Sequence, residues 1–90
     1  MGDFRKYLDE KLKEPEFAAE WERLQPELEI MRTLIKARAE NNLTQKQLAE
    51  KTGIRQSNIS RIENGTCSPT ISTLQTLAEG MGKHLHIEFR

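Results

Sequence analysis

Residues 44–65 read TQKQLAEKTGIRQSNISRIENG. Two short helical patterns meet here across a single glycine. Thr44 suits the cap of the first, and Gln47 stands three residues on, where it can reach back to close a capping box. That helix spans Gln45 to about Thr52, and Gly53 ends it. A tight turn at this point demands a positive φ, which glycine adopts without steric cost. The second helix spans roughly Gln56 to Asn64, with Gly65 ending it. Two helices that cross steeply through so short a turn bring their backbones close together. Ala49 supplies the small side chain needed at the crossing, and Leu48, Ile54, Ile59 and Ile62 have the spacing to fill the crevice.

The second helix separates cleanly by angle. With Gln56 at zero and about 100° per residue, Ser60, Asn64, Ser57 and Arg61 fall between roughly 40° and 140°. Ile62 falls at about 240° and Ile59 at about 300° on the same step. The exposed arc therefore carries amides, hydroxyls and one guanidinium. A merely solvated helix more often shows Glu and Lys there. These groups match the edges of bases in a DNA major groove, where Gln pairs with adenine and Arg with guanine. A helical hairpin of purely structural purpose is the plainer alternative.

Working outward, Asn42 is placed to take the left-handed conformation that ends a preceding helix. That helix is expected to start at Pro26 and to turn Leu28, Met31, Leu34, Ile35 and Arg38 inward. Pro15 suits the first turn of a further helix lined by Phe17, Trp21 and Leu24. Asp3 is expected to cap a helix to about Lys13 with Phe4, Tyr7, Leu8 and Leu12 on one stripe. Downstream, Thr70 caps a last helix carrying Ile71, Leu74, Leu77, Ala78 and Met81, and Gly82 stops it. His84–Phe89 alternates strictly, with Leu85, Ile87 and Phe89 on one face, which reads as a half-buried β-strand. A strand needs a partner edge, and the sequence offers no other strand. The expected solution is a symmetric homodimer in which residues 83–89 pair with their own copy.

The 90 residues suit one small domain with an appended arm, and three segments are expected: a helical arm over 1–25, a body over 26–82 and a dimerising strand over 83–90. Net charge is zero, but residues 1–25 carry seven acids against five bases, and residues 43–90 six bases against four acids. An acidic arm ahead of a mildly basic body suggests two surfaces with different partners, although scattered surface charge accounts for the same numbers. Cys67 is the single cysteine, so no disulfide forms within the chain, which fits a reducing compartment. No apolar run reaches membrane-spanning length, and MGDFRKYLDE lacks the apolar core of a signal peptide. A cytoplasmic protein without membrane contact is expected. His84 and His86 share a strand face, but no further soft ligand lies near them in sequence, so neither metal nor cofactor is expected. No nucleophile, base and oxyanion turn come together, so no enzymatic activity is expected.

LTQKQLAEKTGI and ISRIENG resemble the phage-repressor type of helix-turn-helix domain, the Cro/C1 or XRE family, almost position by position over residues 28–82. The resemblance implies an all-α, five-helix DNA-binding domain. It implies base contacts from Gln56, Ser57 and Arg61. Phosphate and backbone contacts would come from Gln45, Lys46, Arg55, Asn58, Ser60, Asn64 and Thr66, and these fix position and set the salt dependence. It also pairs Arg38 with Glu63 as a structural ion pair. Two positions depart from the pattern. Arg55 stands at the cap of the second helix where Ser or Thr is usual, forgoing about 1 kcal/mol. Gly80 stands where Ala is usual, which costs roughly 1 kcal/mol and is expected to let the last helix fray.

Four of the five aromatics, Phe4, Tyr7, Phe17 and Trp21, lie in the arm, although a domain complete from residue 28 does not need them. EPEFAAEWERL leading into ELEIMRTLIKARAENNLTQ is similar to the HigA-type antitoxins of bacterial toxin–antitoxin pairs, over nearly the whole chain. That resemblance implies a protein that neutralises a RelE/HigB-like ribonuclease toxin by direct binding. It also implies repression of its own operon through a dimer on palindromic operator DNA. Phe4, Tyr7, Leu8, Phe17 and Trp21 would then anchor the toxin. The alternatives are a stand-alone phage or mobile-element repressor, and an interaction adaptor that has kept the fold without DNA binding.

Overall fold

The computed structural model describes residues 2–90 as five α-helices. They are α1 (Gly2–Lys11), α2 (Pro15–Glu40), α3 (Gln45–Thr52), α4 (Gln56–Glu63) and α5 (Ile71–Gly80). The short-range chemistry around the paired helices is realised in full. Thr44 accepts from the Gln47 N–H at 3.0 Å, while Gln47 Oε1 accepts from the Thr44 N–H at 2.8 Å, closing the capping box. Asn42 takes φ 54° and Gly53 φ 78°, both left-handed. Thr70 caps α5 by accepting from the Thr73 N–H.

α2 packs on α4, α3 on α4, and α3 on α5. The core at their junction consists of Leu34, Ala37, Leu48, Ile59, Ile62, Leu77 and Met81. Leu48, Ile59, Ile62 and Leu77 lose essentially all solvent contact. Ile30, Leu43, Ala49, Ile54 and Cys67 pack around this centre.

Several expectations are corrected. No helix begins at Pro26. α2 runs unbroken from Pro15 through Pro26 to Glu40, across the boundary drawn between arm and body. Proline removes one backbone donor, but the φ of the ring is already helical. Pro26 is exposed, so water can satisfy the carbonyl it leaves free. Gln25 adds a side-chain bond from Nε2 to the Trp21 carbonyl at 3.4 Å. Asp3 is no cap, because α1 already starts at Gly2 and holds Asp3 in its first turn. Ile35 points outward and Ala37 takes the inward place. The body contains the C-terminal half of α2 with α3, α4 and α5, and α1 brings the all-helical chain to five helices.

No strand is present among the described residues, and Lys83–Phe89 continues beyond α5 without a ladder partner. Ile87 and Phe89 are exposed. The cause is the one that applies to any lone strand: its donors and acceptors need a second edge, and one copy of this chain has none. Lys83 tethers the segment to the end of α2 through Glu40 at 3.6 Å. Glu88 receives Arg90 Nε at 2.6 Å and His86 Nε2 at 3.2 Å. Arg90 first, then His86, hold its carboxyl below the ordinary range.

Gly80 does not loosen α5. A Cβ there would overlap the Thr52 Cγ2 methyl of α3. Thr52 cannot turn away, because its hydroxyl donates to the Leu48 carbonyl at 2.8 Å and accepts from the Ile54 N–H at 3.2 Å. The glycine is thus what lets α5 close on α3. Helix propensity alone would make Gly80→Ala stabilising by about 1 kcal/mol. The overlap reverses the sign, since overpacking a fitted contact costs roughly 1–3 kcal/mol. The variant should melt several degrees below the parent, and a higher melting temperature would show that the contact is slack.

The molecule extends 44 × 29 × 20 Å with a radius of gyration of 15.5 Å, against about 12 Å for a compact chain of this length. The excess is the arm. Among the described residues α1 and the first half of α2 contribute none that is buried, and Phe4 and Tyr7 are 66% and 57% exposed. Phe17 and Trp21 stack on each other at 6.4 Å.

Candidate nucleic-acid interface

α4 owes its orientation to both of its ends. Ile59 and Ile62 anchor its inner face in the core, and Gly65, at φ 74°, turns the chain away beyond Asn64. A side chain at Gly65 would meet Met31 Sδ of α2 at 2.8 Å, so this turn sits directly on α2. The opposite face is free. Gln56, Ser57, Arg61 and Asn64 are exposed together, whereas Ser60, placed on the same arc by the angular reading, is half-buried.

The only acid in α4 is Glu63, and it faces inward, 6% exposed. Arg38 of α2 grips it with two parallel bonds, Nε to Oε2 at 2.8 Å and Nη2 to Oε1 at 3.0 Å. Glu63 holds the guanidinium firmly charged, its pKa raised above the ordinary value. The third arm of Arg38, Nη1, donates to the Leu43 carbonyl at 3.0 Å, and Gln45 Nε2 donates to Glu63 Oε1 at 3.1 Å. One buried carboxylate therefore ties α2, the α2–α3 turn, the head of α3 and the end of α4 together. Because Glu63 is neutralised internally, the exposed arc of α4 carries positive charge alone. Arg38 and Glu63 were expected as a pair. The links to Leu43 and Gln45 had no signal in the sequence, since one uses a backbone oxygen and the other an unremarkable amide.

The residues expected at a DNA backbone divide into two groups. Lys46, Arg55, Asn64 and Thr66 are exposed around α4 and the head of α3. No side chain caps α4 at Arg55, which leaves the first N–H groups and the Arg55 guanidinium facing outward. Gln45, Asn58 and Ser60 are half-buried. Gln45 is turned onto Glu63 as described, and Asn58, which lies off the arc, faces Cys67, whose Sγ lies 3.8 Å from its Oδ1. Thr66 donates its hydroxyl to the Arg61 carbonyl at 3.2 Å, which fastens the end of α4. Among the described residues no helix is long and apolar enough to cross a membrane.

Comparison with known proteins fits this geometry. The sequence profile of a family described as Helix-turn-helix matches residues 34–87. The chain is 38% identical to a Haemophilus influenzae protein described as an uncharacterized HTH-type transcriptional regulator, over 64% of this chain and 59% of that protein. It is 41% identical to a Methanothermobacter thermautotrophicus protein of the same description, over 64% of this chain and 84% of that one. The chain thus spans less than two thirds of the first relative's length. No solved structure matches it.

Proposed function

The chain belongs to the helix-turn-helix family, and on that premise we propose that it regulates transcription as a sequence-specific DNA-binding repressor. The observation that carries this reading is the α4 surface. Its outward arc of Gln56, Ser57, Arg61 and Asn64 is free of acid, because Glu63 is drawn inward onto Arg38. Amide and guanidinium groups on such an arc suit adenine and guanine edges, and Lys46 and Arg55 suit the flanking phosphates.

Two finer features complete the proposal. The extended segment 83–89 pairs with its own copy, satisfying its ladder groups and covering Leu85, Ile87 and Phe89. The dimer then reads a two-fold symmetric operator. The arm favours a second binding partner over a stand-alone repressor, because Phe4 and Tyr7 stay open to water on α1, a helix the body does not need. A small basic ribonuclease toxin neutralised by this arm is the partner of the antitoxin reading. The test is a gel shift on the promoter of the chain's own gene with unlabelled competitor, followed by co-expression with the adjacent gene. Retarded DNA that survives scrambled competitor supports the repressor. Equal weak binding to all sequences favours an adaptor that does not read DNA, and a failure to copurify with the neighbour removes the toxin from the proposal.

A further inference from the structure

α2 carries two apolar faces, and the fold covers only one. With Phe17 at zero and about 100° per residue, Trp21, Leu24, Leu28, Met31 and Ile35 all fall within roughly 40° of it. Of the residues buried against α4, Leu34 falls at about 260° and Ala37 at about 200° on the same step. The first set recurs at alternating intervals of four and three along α2, the spacing of a coiled-coil seam. Met31 is taken up by Gly65. Leu24 and Ile35 remain 48% and 41% exposed, and Phe17, Trp21 and Leu28 are only half-buried. Isolated apolar residues on a surface need no explanation, but a straight seam along a 26-residue helix does.

Its borders and its composition indicate what covers it. Glu16, Glu20 and Glu27 line one side, all exposed and without an ion-pair partner among the described residues. Antiparallel pairing with a second copy would set these acids against their own counterparts. Parallel pairing would bring Glu27 near Arg32 of the other copy but stack Trp21 on itself, in a layer where two-stranded coils favour β-branched residues. A bulky aromatic flanked by acids instead suits a heterologous partner whose pocket receives it and whose rim is cationic.

We propose that the α2 seam Phe17–Trp21–Leu24–Leu28–Ile35 docks a basic partner protein, through an apolar helix or groove bordered by Lys and Arg. The inference rests on the partner reading above and extends it from the arm into the helix that supports α4. The probe is the purified product of the adjacent gene, titrated against the full chain by calorimetry. Leu24→Glu and Ile35→Glu alter exposed positions, so circular dichroism should show both variants folded. Each should weaken binding at least about ten-fold. Glu20→Lys with Glu27→Lys should weaken it as well and flatten its salt dependence. Gln56→Ala should leave it unchanged. Wild-type binding that survives all the seam variants would overturn this inference while leaving the partner reading intact. No binding by wild type would remove both. A change in the chain's own oligomeric state on Leu24→Glu would assign the seam to a second copy and overturn the proposal.

Discussion

Arg61→Ala should lower affinity for the operator by about 5- to 150-fold, the loss of roughly 1–3 kcal/mol that accompanies removal of one good base contact. Arg61 is exposed in the last turn of α4 and holds no ion-pair partner among the described residues, so the domain itself should melt as before. The loss should also be sequence-selective: discrimination collapses at one base pair while the others keep theirs. Gln56→Ala should behave alike at a neighbouring position. Lys46→Ala, by contrast, should weaken binding to all duplexes evenly and reduce the salt slope by about one. Competition gel shifts over single-base operator variants distinguish the patterns. An Arg61→Ala protein that loses affinity equally for every duplex would reduce Arg61 to a phosphate contact.

Arg38→Met should be the most damaging single substitution for stability outside the apolar core. It leaves the Glu63 carboxylate buried with only the Gln45 amide, and it frees the Leu43 carbonyl. Removing one partner of a buried ion pair costs roughly 3–5 kcal/mol. Arg38 retains some solvent contact, its side chain 21% exposed, and Gln45 still donates, so a cost of about 2–3 kcal/mol is expected. For a domain of this size that lowers the melting temperature by about 10–20 °C. Replacing both residues, Arg38→Met with Glu63→Leu, should recover most of the loss, because no charge is then stranded. DNA affinity in that double variant should still fall, since α4 and the head of α3 lose their common tie. Melting curves that change by less than a few degrees in Arg38→Met would show the pair to be ornamental.

What the sequence disclosed and what it withheld follow a physical line. The Thr44 box, the left-handed Asn42 and Gly53 and the Thr70 cap are decided by atoms a few residues apart, and all stand in the structure as read. The inner face of α4 was legible because an eight-residue helix with two isoleucines has only one way to bury them. Pro26 misled because an exposed helix absorbs the loss of one donor. Ile35 misled because α2 has two apolar faces, and a periodic pattern does not say which of them the rest of the chain will cover. Gly80 looked like a propensity fault because its reason lies across space, in Thr52. The strand expected over residues 83–89 is not formed in the single chain, because alternation supplies a face but no second edge to pair with. At the site, exposure of Gln56, Ser57 and Arg61 agrees with the reading from the sequence, whereas the inward engagement of Gln45 and Asn58 depends on tertiary contacts that spacing does not encode.

The face that meets DNA can be located directly in solution. Backbone amide resonances of the full chain, followed by NMR as a duplex from its own promoter is added, should shift along Gln56–Asn64 and at Gln45–Lys46, with residues 4–35 left in place. Shifts confined to the arm, or an α4 that stays silent while the duplex binds, would contradict the account.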